Sequence, residues 1–258
     1  MKILITGGNG YIAKSIYSKL STQYDITLAT RQDFDLTNYA ATSQFFDGKY
    51  FDVVIHTAVS GGSRLKVDTD TTILDNISMY WNLVDNQEHF DRLITFGSGA
   101  EIYNAKQPYG LSKKVITQLM SDKENYYNLR IFAVFDENEW DTRFIKSSIV
   151  RYLKKENMNI HSDKFMDFFY MEDLISLVNY YITAIDPPAL IDCCYLEQYK
   201  LSDVANMINT LEDYRVDISI GDSELAQEYV GNYIGLPIPL IGLQEGIRRV
   251  YASLKQNI

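Results

Sequence analysis

Tyr109 and Lys113 lie four positions apart, so on a helix they share one face. A free tyrosine has a pKa near ~10 and exchanges protons poorly at neutral pH. A neighbouring ammonium favours the tyrosinate and lowers that value. Together the two side chains make a proton shuttle suited to carbonyl/alcohol chemistry. Ser98 stands a short way upstream, where its hydroxyl can bond the same carbonyl oxygen and polarise it. Spacing alone does not single the pair out, because Tyr251 and Lys255 repeat it in a C-terminal helical segment with no glycine loop nearby. The place of Tyr109 does: it follows a hydroxyl at a strand end, and Pro108 before it suits the first position of a helix.

The elements that must position these groups begin with Lys2–Ala13. Ile3–Thr6 has the apolar, β-branched character of a buried parallel strand. A glycine turn, Gly7-Gly8-Asn9-Gly10, leads straight into an amphipathic run from Tyr11 to Leu20. Strand, tight turn and helix aim bare backbone N–H groups and a helix N-terminus at one spot, which suits a pyrophosphate. Gly7 allows the turn, Gly10 lets a ligand approach the backbone, and Ala13 is small enough for the helix to pack on the strand. The spacing is G-x-x-G-x-x-A rather than G-x-G-x-x-G. Gly7, Gly10, Tyr11 and Ile12 are the candidate cofactor contacts here.

A second strand, Asp25–Ala29, ends at Thr30-Arg31. An acid at that place would take the 2′-hydroxyl of NAD, whereas an arginine would pair with the 2′-phosphate of NADP. The residue is Arg31 and no acid precedes it, so NADP is the expected cofactor, with NAD as the alternative. Asp33–Asn38 reads as a short third strand, with Thr37 or Asn38 capping a helix over Tyr39–Phe46. Phe51–Ala58 reads as a buried strand ending in Ala58-Val59-Ser60-Gly61-Gly62, small residues that admit a cofactor, with Ala58 a candidate contact. A helix over about residues 71–88 places Asn76 where it can face the site or serve as a structural hydrogen-bonder. Strands follow at Arg92–Phe96 and Tyr126–Phe132. This alternation implies a right-handed, doubly wound parallel sheet, a Rossmann-type α/β fold. Beyond Asp136 the pattern loosens into helices at 145–153, 172–183, 201–211 and 243–255 and a strand at 190–195. Without a Gly/Ser linker, the expected division is interleaved. Residues 1–135 with 167–195 form the dinucleotide-binding domain, and 136–166 with 196–258 a smaller α/β substrate lobe.

The 258 residues, 46% hydrophobic and 22% charged, suffice for a large core. The net charge of −10 argues against non-specific nucleic-acid binding. The only cysteines, Cys193 and Cys194, are adjacent, which is no disulfide framework and points to a reducing compartment. No apolar run approaches the ~20 residues that span a bilayer. A cytoplasmic location is expected, and no metal site.

Taken in order, Thr6–Ala13, His56-Thr57-Ala58, Phe96–Glu101, Tyr109–Lys113, Leu129–Phe132 and Asp167–Asp173 resemble the extended short-chain dehydrogenase/reductases, an NAD(P)-dependent epimerase/dehydratase family. The resemblance runs nearly end to end, and its pattern is closest to GDP-fucose synthase-like nucleotide-sugar ketoreductases. It implies Ser98, Tyr109 and Lys113 as the catalytic triad, Lys113 also touching the cofactor, and Gly7, Gly10 and Arg31 binding it. It also implies that the C-terminal lobe binds the nucleotide-sugar diphosphate, for which Arg143, Lys146 and Arg151 are candidates, with Ser98 contacting the sugar. Departures narrow the reaction. Gly99 and Ala100 stand where dehydratases carry an Asp-Glu pair. Ala100 stands where GDP-fucose synthase has its epimerising cysteine, and Arg143 where it has its histidine. Met166 replaces the usual arginine before the Asp-Phe-x-Tyr segment. The expectation is NADPH-dependent reduction of a keto group, at C4, of a nucleotide-activated deoxysugar used in surface-polysaccharide biosynthesis. The alternatives are a C4 epimerase with tightly bound NAD and a non-catalytic NADP-binding sensor or scaffold. A homodimer through the two helices beside the sheet is a further expectation from the family.

Overall fold

The computed structural model describes residues 1–63, 66–221 and 227–256. Contacts divide the chain into two compact units, Met1–Arg130 with Leu177–Ile191 and Ile131–Ser176 with Asp192–Ile258. The segments 131–135, 167–176 and 192–195, expected with the first unit, group with the second. Phe135, Phe168 and Tyr170 account for this: all three are buried in the second unit's core.

The first unit is built on a six-stranded sheet. Its elements are β1 (Lys2–Thr6), α1 (Tyr11–Leu20), β2 (Asp25–Leu28), α2 (Tyr39–Phe46), β3 (Phe51–His56), α3 (Asp70–Val84), β4 (Phe90–Ser98), α4 (Ala100–Tyr103), α5 (Pro108–Met120) and β5 (Tyr126–Ile131). The strand order is β2-β1-β3-β4-β5-β9, with β9 at Leu190–Cys193. β1 pairs parallel with β2 on one side and β3 on the other, and β3 pairs parallel with β4. The chain therefore reverses its winding direction between β1 and β3, which opens a crevice at their carboxyl ends. This is an α/β, Rossmann-like sheet with flanking helices.

The expected third strand at Asp33–Asn38 does not form; the segment is a run of turns. Side chains take over the hydrogen bonding a strand would have used. Asp33 accepts from the backbone N–H and hydroxyl of Thr30 at 2.7 and 2.8 Å, and Asp35 accepts from the N–H and hydroxyl of Thr37 at 3.0 and 2.7 Å. The alternation that suggested a strand is real in burial, since Phe34 and Leu36 enter the core. Phe34 stacks on Phe45 with centroids 4.0 Å apart. α3 ends at Val84 rather than Glu88, and a 3-10 turn, Gln87–His89, leads into β4.

The second unit contains β6 (Val134–Phe135), α6 (Phe144–Leu153), β7 (Met158–Ile160), β8 (Phe169–Tyr170), the first turns of α7 (Met171–Thr183), α8 (Leu201–Ile208), β10 (Ile218–Ile220) and α9 (Leu243–Lys255). β6 pairs parallel with β8, and β10 with β7. These short strands carry too few residues for a readable period. The core gathers Ile145, Ile149, Tyr152, Val204, Ile247 and Val250. Asp173 pins the entry to α9 by accepting from the N–H groups of Ile241 and Gly242 at 2.8 and 3.0 Å. Cys193 and Cys194 are buried free thiols. Burial pushes both thiols up, Cys194 to about 12, so neither is nucleophilic. No helix among the described residues is long and apolar enough to cross a membrane.

Phe46 is fully buried in the first unit's core, edge-on to Phe51. Phe46→Ala should cost about 3–5 kcal/mol, read as a lowered urea midpoint with the denaturant slope unchanged.

Candidate active site

The loop after β1 folds over the end of β3. Gly7 has φ +72°, and a Cβ there would lie 2.6 Å from the Ala58 nitrogen. Any side chain at this position would push the two strand ends apart. The Gly10 N–H donates to the Gly7 carbonyl at 2.8 Å. α1 then starts with neither a side-chain cap nor an acid in its first turn. A glycine cradle opening on an uncapped helix N-terminus fits the pyrophosphate of a dinucleotide. Gly7, Gly10, Tyr11, Ile12 and Ala58 come together here.

Arg31 lies at the rim, with its side chain 79% exposed and paired to Asp35 at 2.7 Å. Asp33, the nearby acid able to accept from a ribose, is folded back onto Thr30.

The three candidate catalytic residues sit on two elements held in close contact. β4 ends at Ser98, and α4 begins two residues later. The Ala100 N–H donates to the Ser98 hydroxyl at 3.2 Å, which orients that buried side chain. α5 packs on α4 through Gly110: a Cβ there would fall 2.2 Å from the Asn104 carbonyl oxygen and 2.6 Å from that of Ala100. The first turn of α5 is therefore seated against Ala100, two residues after Ser98. The Tyr109 ring is covered by Gly62, whose Cβ would lie 2.8 Å from the Tyr109 Cζ. Lys113 points back under the ring, Nζ 5.9 Å from its centroid, and donates to the Phe96 carbonyl at 2.6 Å.

Burial lowers the Lys113 ammonium to about 8, with Glu101 acting in the opposite direction. His56 is buried against the same cavity, and its imidazole is pushed down to about 3, first by burial and then by Lys113. It is neutral at working pH and pairs with the Thr6 hydroxyl at 2.9 Å. Asn76 proves to be a clamp. It accepts from the Ser60 N–H at 2.7 Å and donates to Ser112 Oγ at 2.9 Å, and Ser112 in turn donates to the Tyr109 carbonyl at 2.7 Å.

Gly62, expected among the small residues that admit a cofactor, instead covers the Tyr109 ring. The roles of Gly110 and Glu101 escaped the sequence reading. Gly110 left one signal, a glycine inside a helical segment, which disfavours a helix unless close packing requires it. Glu101 left none.

Arg143, Lys146 and Arg151 lie in the second unit, on or beside α6. Arg143 is the exposed N-cap residue. The Lys146 ammonium is engaged within its unit, donating to the Glu139 carbonyl at 2.8 Å and pairing with Asp141 at 2.9 Å. Arg151 donates to the Asn157 carbonyl at 3.3 Å. Met166, where the family's arginine was expected, is buried in the core. Tyr251 and Lys255 both bond Glu212, and burial and that carboxylate push the Tyr251 phenol up to about 12. The repeated spacing is structural there.

The sequence matches the NAD dependent epimerase/dehydratase family over residues 3–193. The chain belongs to that family. It is accordingly of the NAD(P)-dependent oxidoreductase class. A relative, Protein CapI from Staphylococcus aureus, is 24% identical over 231 aligned residues, covering 69% of this chain and 68% of that one. Among solved structures, a Campylobacter jejuni GDP-D-glycero-L-gluco-heptose synthase with NADPH superposes with a TM-score of 0.84 at 17% identity, covering 99% of this chain and 98% of that one. A C. jejuni GDP-6-OMe-4-keto-L-xylo-heptose reductase gives 0.81 at 16%, covering 100% and 98%. The UDP-glucose 4-epimerase of Thermus thermophilus with NAD gives 0.80 at 16%, covering both chains fully. At these identities the likeness is one of fold.

Glu139 offers a check on the second unit. Its carboxyl is buried, pushed up to about 8 chiefly by burial, and accepts from the Lys146 N–H at the start of α6 at 3.1 Å. A folded-state pKa above the unfolded one means that stability is fully present below about 4.5 and declines as pH rises toward 8. Glu139→Gln keeps the acceptor and removes the titration. The variant should melt close to the parent at pH 4.5 and above it at pH 8, the gap widening between, in thermal melts across that range.

Proposed function

We propose that this protein reduces a keto group, at C4, of a nucleotide-activated deoxysugar with NADPH, in the cytoplasm, as a step in surface-polysaccharide sugar biosynthesis. The observation that supports the reading is Lys113, whose ammonium lies beneath the Tyr109 ring and bonds the Phe96 carbonyl two residues before Ser98, in the unit that holds the glycine cradle. When bound, the nicotinamide supplies the hydride. Ser98 and the Tyr109 hydroxyl bond the carbonyl oxygen, and Tyr109 gives it a proton. Lys113, held by the Phe96 carbonyl, favours the tyrosinate left behind and can orient a ribose hydroxyl. Gly7, Gly10, Tyr11, Ile12 and Ala58 receive the pyrophosphate and the adjoining ribose.

Arg31 turns from Asp35 to the 2′-phosphate, an exchange that a solvent-exposed pair permits. With Asp33 turned onto Thr30, the rim favours NADP over NAD. Arg143, and Lys146 when it exchanges Asp141, are the proposed contacts for the substrate's diphosphate. The exchange of hydride and proton at the carbonyl needs no further acid or base, and Gly99 and Ala100 supply none. This favours plain reduction over dehydration or carbon epimerisation.

Similar folds with bound NADP and NAD, reductases and 4-epimerases alike, support both this reading and its closest rival, a C4 epimerase with tightly held NAD. Purified protein that keeps its nucleotide and interconverts sugars with no net NADPH consumption would favour the rival. A homodimer is also proposed. α3 and α5 pack together and expose Leu74 and Trp81 on one and Leu111 and Leu119 on the other. Burying such a face is the ordinary role of a second copy.

Tyr109→Phe should lower kcat by about 10²–10⁴-fold and leave NADPH binding intact, read by stopped-flow loss of NADPH absorbance with a nucleotide 4-keto sugar. Ordinary turnover by that variant sinks the proposal. Arg31→Ala should raise KM for NADPH by about 10–100-fold, the worth of a charged hydrogen bond, with the NADH constant unmoved. Equal changes for both cofactors would assign Arg31 no part in choosing between them.

A further inference from the structure

The first unit contains a buried ion pair that the proposed chemistry does not use. Glu101, in the first turn of α4, is 5% exposed, and Arg130 at the end of β5 bonds its carboxylate through Nε. The other carboxylate oxygen accepts from the Thr117 hydroxyl at 2.9 Å. Thr117 accepts in turn from the Asn128 amide at 2.7 Å. A buried ion pair that serves stability alone is often replaceable by apolar side chains at no loss, so its position is the informative feature.

Thr117 is one turn beyond Lys113 on α5, on the same face. Lys113, Thr117 and Asn128 line one small cavity of about 10 Å³, together with His56 and Asn76. Glu101 thus faces the side of α5 from which the Lys113 ammonium projects. The groups facing that ammonium are few. β3 offers His56, which burial keeps neutral. α3 offers the uncharged Asn76, and β4 the Phe96 carbonyl. On its own helix stands Tyr109. The cation facing Glu101 from β5 is Arg130.

We propose that Glu101 is a positioning residue for Lys113, a buried counter-charge shared between Arg130 and the lysine that keeps the ammonium charged and in place beneath Tyr109. A buried ammonium with only a carbonyl for company tends to shed its proton. An anion fixed on the next turn offsets that tendency. Arg130 competes for the same anion and limits how far the offset goes. The inference rests on Lys113 being the working partner of Tyr109.

The test is the titration of Lys113 in the intact chain carrying ¹³C at the lysine ε-carbons, its NMR signal identified by its loss in Lys113→Met. Glu101→Gln keeps the hydrogen-bonding shape and removes the charge. The midpoint should fall by about half a pH unit or more. Arg130→Met removes the competing cation, and the midpoint should rise by a similar amount. A merely structural role predicts no such pair of opposite shifts. Should one variant fail to fold, the other still decides by its sign. Midpoints unmoved in folded variants, or moved in the same direction, overturn the assignment. Where a keto-sugar is turned over, the alkaline fall of kcat should follow the same two directions. Opposite shifts without any keto-sugar reduction would keep Glu101's role and remove the reductase reading. Ordinary turnover with unmoved midpoints would do the reverse.

Discussion

The first unit is arranged around one expensive group, an ammonium held out of water. Lys113 comes from the middle of α5 and reaches the carbonyl of Phe96 in the penultimate turn of pleat before β4 ends. A cation so placed is costly unless it is hydrogen-bonded and compensated. Compensation has to come from backbone and from side chains that cannot move away. That requirement dictates how β4, α4 and α5 meet. β4 must end within reach of α5, so that Lys113 and Thr117 of α5 share one small cavity with Thr95 of β4. Thr95 and Asn128, both buried and polar, line that cavity with Lys113, and Glu101 stands behind it, bonded to Thr117.

Close approach of backbones is the second half of the same constraint. Glycine at 110 brings α5 onto α4, and glycine at 62 lays a loop across the Tyr109 ring. Neither residue can do chemistry. Each removes a methyl group's width where α5 and its Tyr109 ring would otherwise stand off from their neighbours. Asn76 completes the arrangement by tying that same loop, at Ser60, to Ser112 on α5. Residues outside the proposed catalytic set therefore fix the spacing of those within it. A polar clamp of this kind has to be fully satisfied to be stable in a buried setting, and Asn76 finds partners through both its oxygen and its nitrogen.

What could be read from the sequence divides along the same line. β1, α1, α2 and α9 were legible because each has a strong period or a clear glycine or cap at its boundary. The proposed catalytic residues, Ser98, Tyr109 and Lys113, stand out in the sequence because their order along the chain carries more information than any one of them. Asp33–Asn38 misled because its apolar residues alternate as in a strand while its aspartates bond their own neighbours. Local side-chain hydrogen bonding won over the sheet, which is the usual competition for such residues. Glu101 was illegible for another reason. An acid in a four-residue helix looks like a solvated charge until the partner on a strand far along the chain is known. Lys146 shows the converse: a basic residue whose sequence setting suits a ligand also has partners within its own unit, the Glu139 carbonyl and Asp141, which no local pattern announces.

The two Tyr-x-x-x-Lys pairs allow the argument to be made within a single chain. Spacing, residue types and helical setting are the same in both. In α9 the lysine stands in solvent, and Glu212 takes hydrogen bonds from both side chains. Burial and then that carboxylate raise the phenol, so the pair has no use as an acid at neutral pH. In α5 the lysine is buried and donates to a carbonyl, so its charge bears on what lies nearest, the ring above it. The difference lies in the third partner. An anion beside the phenol quenches the chemistry, whereas an anion set behind the lysine, on the far side from the phenol, sustains it. A motif of two residues is therefore a statement about geometry, and where the third, charged partner stands decides what that geometry can do.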